Sequence, residues 1–521
     1  MNSSSFTSTG LPKYPESLWR KTSSLPSYSA LEADLTTDVL IAGAGITGIT
    51  AAYALVRAGF KVAVVDAGKI LDGTTGYTTA KITSQHGLIY RQLVDHFGEE
   101  AARQYYDANE EALRYIVDTA QEHQIDCHLH REDAYLYADS EQQLADLKKE
   151  WEAYEQLGIP AEWTDTLPLP INVLGAIKMP NQARFHPLLY LKHMVDYISS
   201  HGGAFYELTT MADKAEELED GSLLLHTENG VKVTCRYAVS ASHFPFYDGG
   251  GLYFTRLHAE RSYVVALEPE TSFPGGMYIN CGNPKRSLRA EEWDGKNLIL
   301  VGGENHKTGE SDCTIKHYEA LEQFGGSTFG AKSIPYRWSA QDLITIDQVP
   351  YIGPVTSKHP RIFVATGFAK WGMTFGTLAA LLITDLIKGK ENKLADLFSP
   401  SRFKANPGLK NLVVQNADVA KELISGKVEQ VHRKLEDLMP DQGAVVKHQG
   451  KRAGAYRDSE GAIHLVDTTC THMGCECKWN QAERSWDCPC HGSRFNYDGH
   501  VLEGPATEDL PRLTPQYGTR E

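Results

Sequence analysis

A stretch able to cross a lipid bilayer is missing from this sequence of 521 residues. Its longest apolar run, Leu378 to Ile387, falls well short of the roughly 20 residues a spanning helix needs and carries Asp385. No integral membrane segment is therefore expected. Residues 1 to 34 are Ser-rich and polar and lack an apolar h-region, so they do not read as a secretory signal. Basic charge is scarce too: 51 Lys and Arg face 67 Asp and Glu, a formal net charge of −16. Phosphate backbones are bound by basic surfaces, which argues against a nucleic-acid partner. Internal repeats and low-complexity tracts are also absent. A soluble, cytoplasmic protein is the expectation. With 41% hydrophobic residues it can bury a large core, and its length suits two to four domains.

Cysteine is sparse over most of the chain, where Cys127, Cys235, Cys281 and Cys313 stand singly as ordinary thiols. The other five of the nine lie in "CTHMGCECKWNQAERSWDCPCHGSRF", residues 470 to 495, together with two histidines. Such a cluster marks a local site rather than a disulfide-dense secreted scaffold. The pattern is Cys470-x-His472, fifteen intervening residues, then Cys488-x-x-His491. Each loop thus offers one thiolate and one imidazole. A Cys2His2 zinc finger sets paired cysteines before paired histidines, and that order is absent. A Rieske-type [2Fe–2S] centre takes two thiolates on one iron and two imidazoles on the other, which this spacing supplies. A structural zinc site stays open as the alternative. No facial triad for mononuclear iron stands out.

The N-terminal "TDVLIAGAGITGITAAYALVRAGFKVAVVDAG" reads as strand, Gly turn, helix and strand, with a helical period from Ile46 to Val56. Gly43, Gly45 and Gly48 fall in the G-x-G-x-x-G spacing. Gly43 permits the tight turn, Gly45 lets the backbone approach a pyrophosphate, and Gly48 allows close helix–strand packing. The helix N-terminus offers amides and partial positive charge to the phosphates. Asp66, ending the next strand, is placed for a ribose 2′-hydroxyl. The motif in this context predicts dinucleotide binding. A second such unit is lacking, since "LILVGGENH" at 298 has neither the spacing nor the helix.

Further along, residues 88 to 158 read as largely helical, with a hairpin expected around "CHLHREDAYLYAD". Short alternating runs from 203 to 308 predict an antiparallel sheet. "IFVATGFAKWGMTFGTLAALLITDLIKG" reads as a second strand–Gly turn–helix unit. A linker rich in Pro, Ser and Gly then leads into a charged helical stretch from Val413 to Leu438, and short strands follow Pro440.

The stretches "DVLIAGAGITG", "GTTGYTTAKITSQHG", "YAVSAS" and "VPYIGP…RIFVATGFAKWGMTFGT" resemble the D-amino-acid-oxidase-like flavoproteins, which include glycine and sarcosine oxidases. The resemblance covers about residues 36 to 400. It implies FAD as cofactor, with Thr74, Thr75, Thr79, Lys81 and Gly367 near the flavin. The amides of Gly372, Met373 and Thr374 at a helix start would lie there too, where negative charge on reduced flavin is stabilised. No cysteine precedes "VPYIG" where sarcosine-oxidase relatives tether flavin, so non-covalent FAD is expected. In amino-acid-oxidising relatives an Arg shortly before "P-x-I-G" binds substrate carboxylate as a fork. Arg337 sits in about that place, though with a longer spacing, and a sheet-edge arginine is the plain alternative. Lys370 occupies a substrate- or flavin-facing position in those relatives, against the alternative of a solvated lysine. Trp371 reads as packing, and His86 as a hydrogen-bonded turn histidine.

"CTHMGC" and "CPCHGS" resemble the cytochrome-bc-type Rieske proteins. Carried over, Cys470, His472, Cys488 and His491 are the cluster ligands, Cys475 and Cys490 form a disulfide joining the loops, and "EGPA" at 503–506 shields the cluster. That resemblance also implies histidines exposed to an electron acceptor. Cys477 is left over and reads as a surface thiol. Ser493 is present, but Phe495 stands where high-potential relatives carry a hydrogen-bonding Tyr, which predicts a moderate potential.

The expected architecture is an α/β FAD-binding Rossmann-type domain with an interleaved antiparallel-sheet substrate domain, plus a small all-β Rieske domain. The boundaries are an N-terminal extension at 1–35, the oxidoreductase at 36–400, a linker with helix at 401–440 and the Rieske domain at 441–521. The expected activity is FAD-dependent dehydrogenation of an amine- or amino-acid-like small molecule, acting on a CH–NH or CH–NH2 group. Electrons would leave through the [2Fe–2S] cluster to an external acceptor, a redox protein or a quinone. A reductase fed through the cluster, or a non-catalytic redox sensor or electron carrier, are the alternatives.

Overall fold

Runs that are apolar throughout, such as Val39–Ala42, Val62–Val65 and Ile362–Thr366, are buried on both faces, as strands of a covered parallel sheet must be. In the computed structural model they join Tyr237–Ser240, Ala204–Tyr206 and Tyr351–Pro354 in one six-stranded sheet. All its pairings are parallel except that of the edge strand Tyr351–Pro354. The helices Ile46–Arg57 and Gly372–Ile387 pack against one another beside this sheet. The structure describes residues 10–310, 313–402, 405–428 and 433–514. Parts of the expected N-terminal extension, linker and C-terminal domain, at 1–9, 403–404, 429–432 and 515–521, lie outside the described residues.

A nine-stranded sheet stands beside the first, built mainly of antiparallel neighbours, with the long strands Leu257–Glu268, Lys296–Lys307 and Ser333–Thr345 adjacent. One pair, His130–Ala138 with Met277–Asn280, is parallel. The hairpin expected at 127–139 is instead a single strand, His130–Ala138. Its antiparallel partner is Gly175–Arg184, beyond the helix Glu141–Leu157. The local alternation was sound, but pairing over a long loop leaves no mark in the sequence. The expected sheet over 203–308 is likewise divided. Met211–Glu217, Leu223–Thr227 and Lys232–Cys235 form a separate small sheet with Leu35–Thr36.

The N-terminal segment is woven into the fold rather than appended to it. Trp19 is fully buried in the short helix Leu18–Lys21 and donates from Nε1 to the Thr78 carbonyl at 2.7 Å. After the oxidoreductase part, a helix runs Ala405–Val428, earlier than the span expected from Val413 to Leu438. A three-stranded and a four-stranded antiparallel sheet follow, within residues 442–466 and 478–503.

This C-terminal unit is docked on the large sheet. Gln341 Nε2 donates to the Gly492 carbonyl at 2.9 Å, and Tyr318 donates to Glu483 at 2.7 Å. Gly492 is needed for the close approach, since a Cβ there would lie 2.4 Å from Ala259 Cβ.

Candidate flavin and cluster sites

A cavity of about 1890 Å³ opens at the carboxyl ends of the parallel strands and runs between the two sheets. At one end lies the Gly turn. Gly43 has φ +106°, and a Cβ on it would lie 2.3 Å from the Ala241 carbonyl oxygen. Gly45 faces the cavity and would meet only Thr75 Oγ1, at 3.0 Å. Gly48 does not line the cavity. A Cβ there would fall 1.9 Å from the Gly43 carbonyl oxygen, so its bareness serves helix–strand contact. Asp66 lines the cavity and accepts from the Ala44 and Gly68 amides at 2.7 and 2.8 Å. Burial raises its carboxyl pKa despite those amides. An elongated cavity starting at a bare glycine turn beside an acidic strand end fits a dinucleotide.

Thr74, Thr75, Thr79 and Lys81 line the cavity, as do Gly372 and Met373 at the start of the long helix. Gly367 and Thr374 do not. Gly367 turns the chain at φ +77° with Thr345 packed where a side chain would go, and Thr374 is buried against the Thr83 and Trp371 carbonyls. His86 bonds the Tyr105 hydroxyl at 2.8 Å and the Thr83 carbonyl at 2.7 Å, and stacks on Trp371 at 4.5 Å. Burial lowers its pKa to about 3, as suits a neutral packing histidine.

Lys370 reaches the cavity between two carboxylates, 3.6 Å from Glu260 and 3.5 Å from Asp342. Burial raises Glu260, but His258 and Lys370 outweigh it and hold its carboxyl at about 2. Arg337 requires a correction, because it is nowhere on the cavity wall. It shares a strand with Ser339, Ala340 and Asp342, which line the cavity, but stands nearer the start of that strand and turns to the N-terminal segment and the C-terminal unit. Its guanidinium donates to the carbonyls of Pro12 at 2.7 Å, Lys13 at 2.9 Å and Ala482 at 3.3 Å. It also lies over the Tyr318 ring. These carbonyls and the ring hold the guanidinium away from the cavity, so it is not placed for a substrate carboxylate.

Two other lysines take up the cavity wall. Lys81 Nζ donates to the Tyr278 carbonyl at 3.0 Å, and Lys285 Nζ to the Asn280 carbonyl at 3.3 Å. These carbonyls are two residues apart on one strand, so they point the same way about 7 Å apart. Burial, with Arg289 nearby, lowers Lys81 to about 7, and burial lowers Lys285 as well. Lys285 escaped the sequence reading because it belongs to no motif. Only the return of its strand places it there.

At the far end, Thr471, His472 and Met473 form part of the same cavity wall. The sulfurs of Cys470 and Cys488 lie within 4.8 Å of each other and are almost fully buried. The His472 and His491 rings stand side by side, centroids 5.0 Å apart, and His491 Nδ1 is buried without a hydrogen-bond partner. Two close sulfurs and two adjacent imidazoles, one with an orphaned nitrogen, fit a cluster with two sulfur and two nitrogen ligands. Cys475 and Cys490 form a disulfide beside them. Two expectations need correcting. Cys477 is no surface thiol: it is wholly buried, its Sγ within 4.8 Å of both Cys470 and Cys488 Sγ. The histidines are not both exposed either: His491 is buried and His472 half-buried, with Phe244 against His472 and Phe254 against both rings.

Residues 38–386 match the family described as FAD dependent oxidoreductase, and residues 429–514 match the Rieske [2Fe-2S] domain. The Bacillus subtilis Rieske 2Fe-2S iron-sulfur protein YhfW is 48% identical over 96% of this chain and 97% of its own. The gamma-glutamylputrescine oxidoreductase of Escherichia coli is 24% identical over 74% of this chain and 92% of its own. Among solved structures, glycine oxidase from Geobacillus kaustophilus superposes with a TM-score of 0.57 at 18% identity. That match covers 71% of this chain and 99% of the oxidase.

Proposed function

This chain belongs to the FAD-dependent oxidoreductases and ends in a Rieske [2Fe–2S] domain, and from that premise we propose that it is a dehydrogenase of an amine- or amino-acid-like small molecule. Flavin accepts two electrons from a CH–NH or CH–NH2 group and releases them singly, and a [2Fe–2S] cluster takes one at a time. The observation that carries the reading is one continuous cavity whose wall takes in both Gly43 and Gly45 and His472. A cluster ligand that walls the flavin cavity suits electron exit through the Rieske domain to an external acceptor, a redox protein or a quinone.

The chain's own residues divide the remaining work. Gly45 and the helix start at Gly372 leave backbone amides free toward the dinucleotide. Asp66 is at hand for a ribose hydroxyl. Lys81 and Lys285 offer two ammonium groups to an anionic substrate group, while Lys370 is pinned by Glu260 and Asp342 and positions the chamber wall. No helix among the described residues is long and apolar enough to cross a membrane.

The test is anaerobic mixing of the holoprotein with a panel of amines and amino acids, following flavin absorbance and the cluster EPR signal together. Bleaching of the flavin with appearance of the reduced-cluster signal is expected for one substrate class. Reduction by a reduced redox protein, with none of the panel active, would overturn the dehydrogenase in favour of a reductase.

A further inference from the structure

The sulfur loops hold one thiol that the ligand set does not use. Cys477 Sγ lies within 4.8 Å of the sulfurs of both Cys470 and Cys488, and its side chain has no exposed surface. Its backbone fixes the direction of that side chain. The Cys477 amide donates to the Thr468 carbonyl at 2.8 Å, and the flanking pair Thr469 and Glu476 forms an isolated β-bridge. The surroundings are dry: Val466, Trp486, Phe495 and Leu510 are buried in the same cluster of side chains. A free thiol packs in such a pocket as a small apolar group with one weak donor, and the acceptors within reach of its S–H are sulfurs.

Other donors reach the ligand sulfurs too: Ser493 and the His472 amide at Cys470, and the Cys490 amide at Cys488. Phe495 is fully buried and brings no hydroxyl. Ser493 Oγ accepts from the Ala506 amide at 3.0 Å, which leaves its own hydrogen to be given away. Each donor aimed at a cluster sulfur stabilises the extra negative charge that arrives on reduction. A thiol is a weak donor, and in a water-free pocket beside two ligand sulfurs it adds to these.

We propose that Cys477 is a positioning residue of the [2Fe–2S] cluster, whose S–H donates to cluster sulfur and raises its reduction potential, in the absence of a donor at Phe495. The assignment concerns the cluster alone and stands whatever the flavin oxidises.

The test is a redox titration of the cluster, followed by EPR, in full-length holoprotein carrying Cys477→Val or Cys477→Ser. The valine variant removes the donor while filling the pocket, and the serine variant keeps a donor. Expected for valine is about a tenfold loss in the equilibrium constant for cluster reduction, about 59 mV for a one-electron couple, with serine near the parent value. If valine does not hold a cluster, Cys477→Ala serves as the donor-free variant. Equal potentials in all proteins, or equal losses with valine and serine, would overturn the proposal in favour of packing alone. Failure of both apolar variants to retain iron would overturn it in favour of an assembly role. A change in the EPR g values showing altered ligation of iron would make Cys477 a ligand and overturn it equally.

Discussion

Phe254 stands edge-on to His491, ring centroids 5.9 Å apart and planes at 79°. The same ring lies 6.3 Å from His472. One aromatic side chain of the oxidoreductase part thus covers both imidazoles of the Rieske part. Phe254→Ala should open this wall without disturbing the Gly turn at the other end of the cavity. The expected result is unchanged flavin content with several-fold faster release of iron to a chromogenic chelator. Equal release rates would mean that the ring does not seal the cluster.

Arg337 ties three parts of the chain together through the carbonyls of Pro12, Lys13 and Ala482. Lysine keeps the charge but not the planar fork, so Arg337→Lys is not conservative here. Loss of charge-assisted bonds at this buried site is expected to cost about 3 kcal/mol. A lowered unfolding midpoint with the substrate KM unaltered is the expected pattern. A raised KM at unchanged stability would return Arg337 to substrate binding.

The contrast between Arg337 and Lys285 shows what was legible in the sequence. The Gly turn, Asp66 and the two sulfur loops are local, each built from residues a few positions apart on one strand–turn–helix or loop. Spacing alone brings them together. The substrate chamber is made by strands that return from far away, such as Met277–Asn280 beside His130–Ala138. There the place of a residue along its strand, and what packs on that part of the strand, decide whether it faces the cavity or the docked domain, and motif offset cannot reveal it. Cys477 and the cover over His472 escaped for the same reason, since both depend on what packs against the loops.

Lys81 carries a pH prediction. Burial lowers its ammonium to about 7, well below the ordinary lysine value. From about pH 7 up to that ordinary value, the unfolded chain holds the proton and the folded chain does not. Stability therefore rises with pH across this window, and the cost is fully present below it. Anion binding beside Lys81 has the opposite demand, because it needs the ammonium. Affinity for a carboxylate ligand such as benzoate, read from the flavin spectrum, should weaken as pH rises through about 7. The limit is about tenfold per unit. Lys81→Met should bind more weakly at low pH and show no such slope. A slope that survives the substitution would assign it to another group.

The disulfide between Cys475 and Cys490 closes a loop with a sequence separation of 15 and lies under the helix Ala405–Val428, whose Val419 and Leu423 pack on the same buried group. A loop of that length is worth about 3 kcal/mol through the unfolded chain. Both sulfurs are nearly inaccessible, at 1% and 6% residue exposure, so added thiols should leave the bond intact in the folded protein and cut it only on unfolding. The paired variant Cys475→Ser with Cys490→Ser removes the tether between the two ligand loops. It should lower the unfolding midpoint of the C-terminal unit and speed iron loss on warming, with flavin binding unchanged. Ready reduction of the native bond by dithiothreitol, with the cluster retained, would show that neither the helix cover nor the tether matters to cluster stability.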